Sequence, residues 1–212
     1  MRARAAGPAL LLLTLAQSAQ AASATSGATA MHRFVLSTLL IASLPAFAAD
    51  ATWPAEARKV ASEVPPKLLA TLSAAIDKGG PEGAIAVCRD EAPKLTKAAS
   101  EQSGWNIKRV SLRPRNPMAV TDAWERAALE DFDRRAAAGE SPATLEKSDV
   151  VTEGGQTVQR YMRALPTQQL CLACHGPAAS LSPAVSAQLQ ASYPADQAVG
   201  YRIGEIRGAM TL

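Results

Sequence analysis

Cys171, Cys174 and His175 stand in the spacing C-x-x-C-H. Two thiols three residues apart share one helical turn and can reach the two vinyl groups of a porphyrin, forming thioethers. The adjacent imidazole then points at the iron as its proximal ligand, which is the attachment chemistry of c-type haem. Three other chemistries use parts of the pattern. A thioredoxin-like C-x-x-C opens a continuing helix, whereas Gly176-Pro177 stops one here. A structural zinc site needs four ligands, so Cys88, Cys171, Cys174 and His175 would all have to be used. A disulfide leaves the histidine unexplained. One covalent haem, with His175 as proximal ligand, is the expectation.

The sixth position is open on the residues alone. His32 is the other histidine, and it falls in a segment read below as removed, so a bis-histidine haem is excluded. Cys88, Met118, Met162, Met210, a lysine or no protein group remain. Cys88 is the odd cysteine; a lone cysteine can pack as a small hydrophobe or ligate the iron as thiolate. Arg113, Arg115 and Arg207 are the basic residues best placed to pair with haem propionates.

The elements that position these residues read as follows. Trp53 to Lys78 has a helical pattern with an apolar face at Leu68, Leu69, Leu72 and Ile76, interrupted by Pro65-Pro66 and stopped at Gly79-Gly80. Pro81 opens a second helix whose Ala84, Cys88, Ala92, Leu95 and Ala99 form a buried stripe. Trp105 to Leu112 reads as a strand. Asp122 and Glu125 form a capping box for a helix with Trp124, Ala128 and Phe132 on one side, and its charged run to Arg135 reads as a solvated face. Glu153-Gly154-Gly155 turns a hairpin between Val150-Val151 and Thr157 to Leu165. Ser182-Pro183 starts a short helix, and Tyr201 to Leu212 a closing strand. The expected class is α+β, with helices flanking an antiparallel sheet in one domain.

The first 48 residues carry Arg2, Arg4 and Arg33 and no Asp or Glu. With those three set aside, the 22 basic residues of the chain match its 19 acidic ones. A neutral body without a basic stripe argues against nucleic acid as a partner. No apolar run reaches the ~18 residues a membrane helix needs. From Met31, the positive Arg33, the apolar run Phe34 to Leu44 and Ala46-Phe47-Ala48 form a signal peptide with its cleavage site. Residues 1–48 are therefore expected to be a targeting region, with 1–30 as upstream sequence preceding a start at Met31. Residues 49–212 are expected to form the single domain, exported to the periplasm.

Five ordered segments together resemble the PAS-like c-type haem family: Ala84 to Pro93 (AIAVCRDEAP), Val110 to Pro117 (VSLRPRNP), Asp122 to Glu125 (DAWE), Leu170 to Gly176 (LCLACHG) and Gly200 to Ala209 (GYRIGEIRGA). The loop departs from the family pattern at Met118 to Thr121. The resemblance implies a haem seated on a PAS-like antiparallel sheet. His175 matches the proximal ligand, and Cys88, between Val87 and Arg89, matches a distal cysteine from an early helix. It also implies a periplasmic module that senses redox state or a small ligand such as CO or NO, with an electron-transfer cytochrome as the alternative. Members occur free-standing and as input modules of sensor kinases, so a redox or signalling partner protein is expected. An enzyme is not, since no distal histidine remains for acid–base work.

Overall fold

The computed structural model describes residues 52–212, which fall within one compact unit, Ala46–Leu212. The signal-peptide reading and the Met31 start lie outside the described residues.

Helix α1 (Trp53–Ala86) runs through Pro65-Pro66 without a break. This corrects the expected interruption. Proline's fixed φ suits a helix even as its ring removes a donor, and the buried Val64 and Leu68 anchor the turn on either side. The break at Gly79 (φ −138°) and Gly80 (φ 71°) falls where expected, and two helical segments meet there at a kink. Past the kink, Val87–Glu91 form a π-helical turn that leads into α2 (Ala92–Ser103). A π turn inserts one residue into the helical register, so the stripe drawn from Ala84 to Ala99 is not continuous. Cys88 lies inside that turn.

Strand β1 (Lys108–Val110) is shorter than expected, because the next residue, Ser111, bonds to Ala119 rather than continuing a ladder. Helix α3 (Ala123–Ala137) starts at the expected capping box, with Asp122 accepting from the Glu125 amide and Glu125 accepting from the Asp122 amide. Strands β2 (Glu146–Glu153) and β3 (Gln156–Pro166) form the hairpin, turned by Gly154-Gly155. The one-turn α4 (Leu172–His175), α5 (Pro183–Ser192) capped by Ser182, and β4 (Ile206–Thr211) complete the chain. The class is α+β, as expected.

The last strand is not a closing edge. The sheet order is β1-β4-β3-β2, all antiparallel, with β4 inserted between β1 and β3. One face packs on α3: Val110, Leu145, Met162, Ala164 and Ala209 meet Ala128, Leu129 and Phe132. The other packs on α1: Tyr161, Met210 and Leu212 meet Ala57, Ala61 and Val64. A satellite cluster joins Ile85 to Val185, Leu189 and Tyr193, with Cys174 packed against it. Through it α5 holds the segment before Cys88 beside the C-x-x-C-H turn.

Glu125 corrects the reading of α3's charged run. It is fully buried, with Lys108 Nζ at 3.0 Å, because the capping box turns its side chain back over the helix start toward β1.

Candidate haem site

Beyond the contacts of Ala57, Ala61 and Val64, the second half of α1 does not close on the sheet. It leaves a cavity open to solvent, with about 1000 Å³ of space counting the solvent at its mouth. Its apolar wall comes from α1, with Leu68, Leu69, Leu72 and Ile76, and from Leu165 and Met210 of the sheet. Cys171, Cys174, His175 and Cys88 all reach it. An open groove between α2 and β1 adjoins it and shares Cys88, His175, Arg109, Arg115 and Arg207.

The C-x-x-C-H turn is short for a steric reason. Gly176 ends α4, and a Cβ there would stand 2.6 Å from the Leu172 carbonyl oxygen. Leaving the helix, the chain is gripped by the 196–201 loop. Tyr201 N donates to the His175 carbonyl (2.9 Å) and Gly200 N to that of Gly176 (2.7 Å). Cys88, Cys171 and Cys174 are all free thiols.

His175 Nδ1 lies 2.6 Å from the Ala198 carbonyl and 3.2 Å from Arg207 Nε. One nitrogen cannot donate to the first and accept from the second. A carbonyl oxygen only accepts, so the shorter contact assigns the proton to Nδ1. Nε2 then keeps its lone pair, the arrangement in which a carbonyl orients a metal-ligating histidine. Burial, with Arg207 and Arg115 nearby, holds the imidazole well below its usual pKa, in the neutral form that ligates. Burial pushes the Cys88 thiol up, against the pull of Arg109, Arg115 and Arg207.

The arginines divide three ways. Arg113 is not brought to the cavity: its Nε donates to the Gln197 carbonyl (3.2 Å) and its guanidinium stacks 4.2 Å over Tyr201. That corrects its expected propionate role. Arg115 reaches the cavity but is committed to structure, pairing with Asp196 (2.9 Å) and donating to the Cys174 carbonyl (2.6 Å). Arg207 lines the cavity as expected, with Nη1 on Ser111 Oγ (3.1 Å). A β-bulge places it there. Ile206 pairs with Pro166 and Gly208 with Leu165, so Arg207 is the extra residue. Gly208 (φ 153°) permits the bulge, because a Cβ would stand 2.3 Å from the Val110 carbonyl oxygen.

Arg109 was missed. It sits opposite Met210 and lines both cavity and groove. The signal was present in the alternation of β1, since a core-facing Val110 turns Arg109 to the other face. Among the described methionines, Met162 belongs to the α3-side core and Met118 is exposed, while Met210 shares the apolar cavity with Cys88.

The residues present fit a porphyrin. An apolar wall faces two free thiols and an imidazole whose Nε2 lone pair has Arg115 Nη1 at 3.5 Å, and Arg109 and Arg207 stand at one side without a carboxylate in contact. Helices on both faces of a four-stranded antiparallel sheet, with a C-x-x-C-H turn lining an apolar cavity, define the class of this protein. The family model Tll0287-like matches residues 13–212, and the chain belongs to that family. Among solved structures it is similar to the cyanobacterial haem protein Tll0287. The TM-score is 0.58 at 24% identity, covering 76% of this chain and 94% of that one. At this identity the likeness shows the fold. No curated protein matches the chain. Among the described residues no helix is long and apolar enough to cross a membrane.

Proposed function

We propose that the chain is an exported monohaem c-type protein that senses redox state or a small ligand. Cys171 and Cys174 hold the haem by thioethers, His175 Nε2 is the proximal ligand and Cys88 the distal one. The observation that carries the reading is the convergence of Cys88 and the C-x-x-C-H residues on one apolar cavity, with His175 Nδ1 tied to Ala198. The relative described as a haem protein, with this fold, supports it. When bound, the haem supplies an iron centre that changes oxidation state and takes ligands such as CO and NO.

The chain's own residues set how that centre behaves. A Cys88 thiolate is a charged donor and favours the oxidised state. It sits on a π turn between the Gly79-Gly80 kink and α2, so its hold on the site is not locked into a regular helix. A ligand that lets go on reduction opens a position for CO or NO, which is the behaviour of a sensor. The role proposed is sensing rather than catalysis.

The test is the optical spectrum of the purified protein in both oxidation states, with and without CO, for wild type and Cys88→Ala. Wild type is expected to be low-spin with thiolate character when oxidised and to bind CO when reduced. Cys88→Ala is expected to be high-spin, with a raised potential and attachment intact. An unchanged low-spin spectrum in the variant would hand the sixth position to Met210 and make the electron-transfer reading the better one. Export from a Met31 start is checked by intact mass, expected to equal residues 49–212 plus one haem.

A further inference from the structure

The cations of the cavity outnumber the anions that meet them. Arg109, Arg115 and Arg207 line both the cavity and the groove. Arg115 is neutralised by Asp196. Arg207 touches neutral partners, namely Ser111 Oγ, the His175 ring and the face of Tyr201, and feels Asp196 without pairing with it. Arg109 has neither a hydrogen bond nor a carboxylate partner among the described residues. Enclosed charge of one sign without a counter-ion is unfavourable, and a guanidinium is the side chain least able to shed its proton.

We propose that Arg109 and Arg207 form a carboxylate clamp on adjacent strands, taking either the acidic side chains of the haem or a free small carboxylate that enters by the α2–β1 groove. The inference rests on the haem reading. Its ground is geometric. Arg109 faces Met210 across the β1–β4 ladder, and the bulge swings Arg207 to the same side of β4. Both forks are thus carried by rigid backbone and not by a loop. A planar guanidinium matches a carboxylate through two parallel hydrogen bonds, so two of them suit two carboxylates. The groove beyond is hydroxyl- and amide-bearing, with Thr96, Ser100, Asn106 and Asn116, and its one carboxylate, Glu101, is already paired with Lys97. Nothing acidic there competes for the arginines. Burial, and then the neighbouring Arg109, depress the Arg207 pKa to about 10 against the pull of Tyr201 and Asp196.

The experiment compares wild-type holoprotein with Arg109→Leu and Arg109→Lys. It measures covalent haem content, the propionate-bending Raman band, the midpoint potential and the response of the haem spectrum to sodium acetate. All three proteins are expected to keep one covalent haem, because the thioethers do not involve Arg109. If the haem's own carboxylates fill the clamp, wild type ignores acetate. Arg109→Leu then shifts the propionate band and lowers the potential, and Arg109→Lys falls between. If a free carboxylate fills it, acetate shifts the wild-type spectrum saturably. That affinity then falls about tenfold in Arg109→Leu, the loss of a charged hydrogen bond.

An unchanged propionate band together with an unchanged acetate response overturns the clamp. So does a change confined to the sulfur–iron charge-transfer band, which would make Arg109 a partner of Cys88. Wild type lacking covalent haem would overturn the haem reading instead. Calorimetric binding of acetate to that chain, lost or kept in Arg109→Leu, would still decide for or against the clamp.

Discussion

The two faces of one sheet do opposite work. On the α3 face, β1, β3 and β4 direct Val110, Met162, Ala164 and Ala209 into a core that Leu129 and Phe132 close completely. On the α1 face the same strands carry Met210 into the core against α1 and present Arg109 and Arg207 to the cavity under Leu68, Leu72 and Cys88. Strand alternation makes both from the same few residues. The packed face supplies the rigidity, and the open face can keep an unfilled volume and unpaired cations only because its backbone is already held from behind.

The sharpest break of this comparison is Cys171→Ala with Cys174→Ala. It should abolish covalent haem while far-UV circular dichroism stays native, since the α3 core touches neither cysteine. Acid-acetone extraction is the measurement, and colour that stays with the double variant's polypeptide would contradict the assignment. Phe132→Ala attacks the other face. A fully buried phenylalanine lost from a core costs about 3–5 kcal/mol, read as a lower urea midpoint with the haem spectrum unmoved. A changed spectrum would mean that the faces are coupled.

Gly208→Ala strikes the strand both faces share. The new methyl would meet the Val110 carbonyl and flatten the bulge, costing about 1–3 kcal/mol. Unlike Phe132→Ala, it should also move the potential, because Arg207 turns with the bulge. Potentiometric titration beside urea unfolding separates the two effects.

The smallest expected effect is on acid stability. Hydrogen bonds from Arg58 and then Tyr161 hold the Glu146 carboxyl below its usual range. A depressed folded-state pKa means that stability is fully present above the unfolded value, about 4.3, and is lost as pH falls through the folded one. Wild type should therefore exceed Glu146→Gln in urea midpoint near neutrality and converge with it in acid. Parallel curves down to low pH would show that the pair contributes nothing.

The site was legible to the degree that its chemistry is local. C-x-x-C-H is read from neighbouring residues, and Gly176-Pro177, the Asp122–Glu125 box and the Gly154-Gly155 turn each act within one turn of chain. Cys88 needed the resemblance as well, because its helix is regular in sequence pattern while a π turn shifts its register.

What the sequence by itself determined is the α+β class, the elements near their observed places, the C-x-x-C-H turn and its histidine. What only the tertiary structure decided is which charges meet the cavity. The sequence points to Arg113 and not to Arg109, yet β4 enters the middle of the sheet and draws Arg109 and Arg207 to one face, while Tyr201 and Gln197 hold Arg113 away. Glu125, which reads as solvated, is buried against Lys108 of β1. Local pattern follows from backbone and neighbour sterics over a few residues. The partner of a long charged side chain depends on which distant strand lies beside it, and strand order is settled by packing the whole chain.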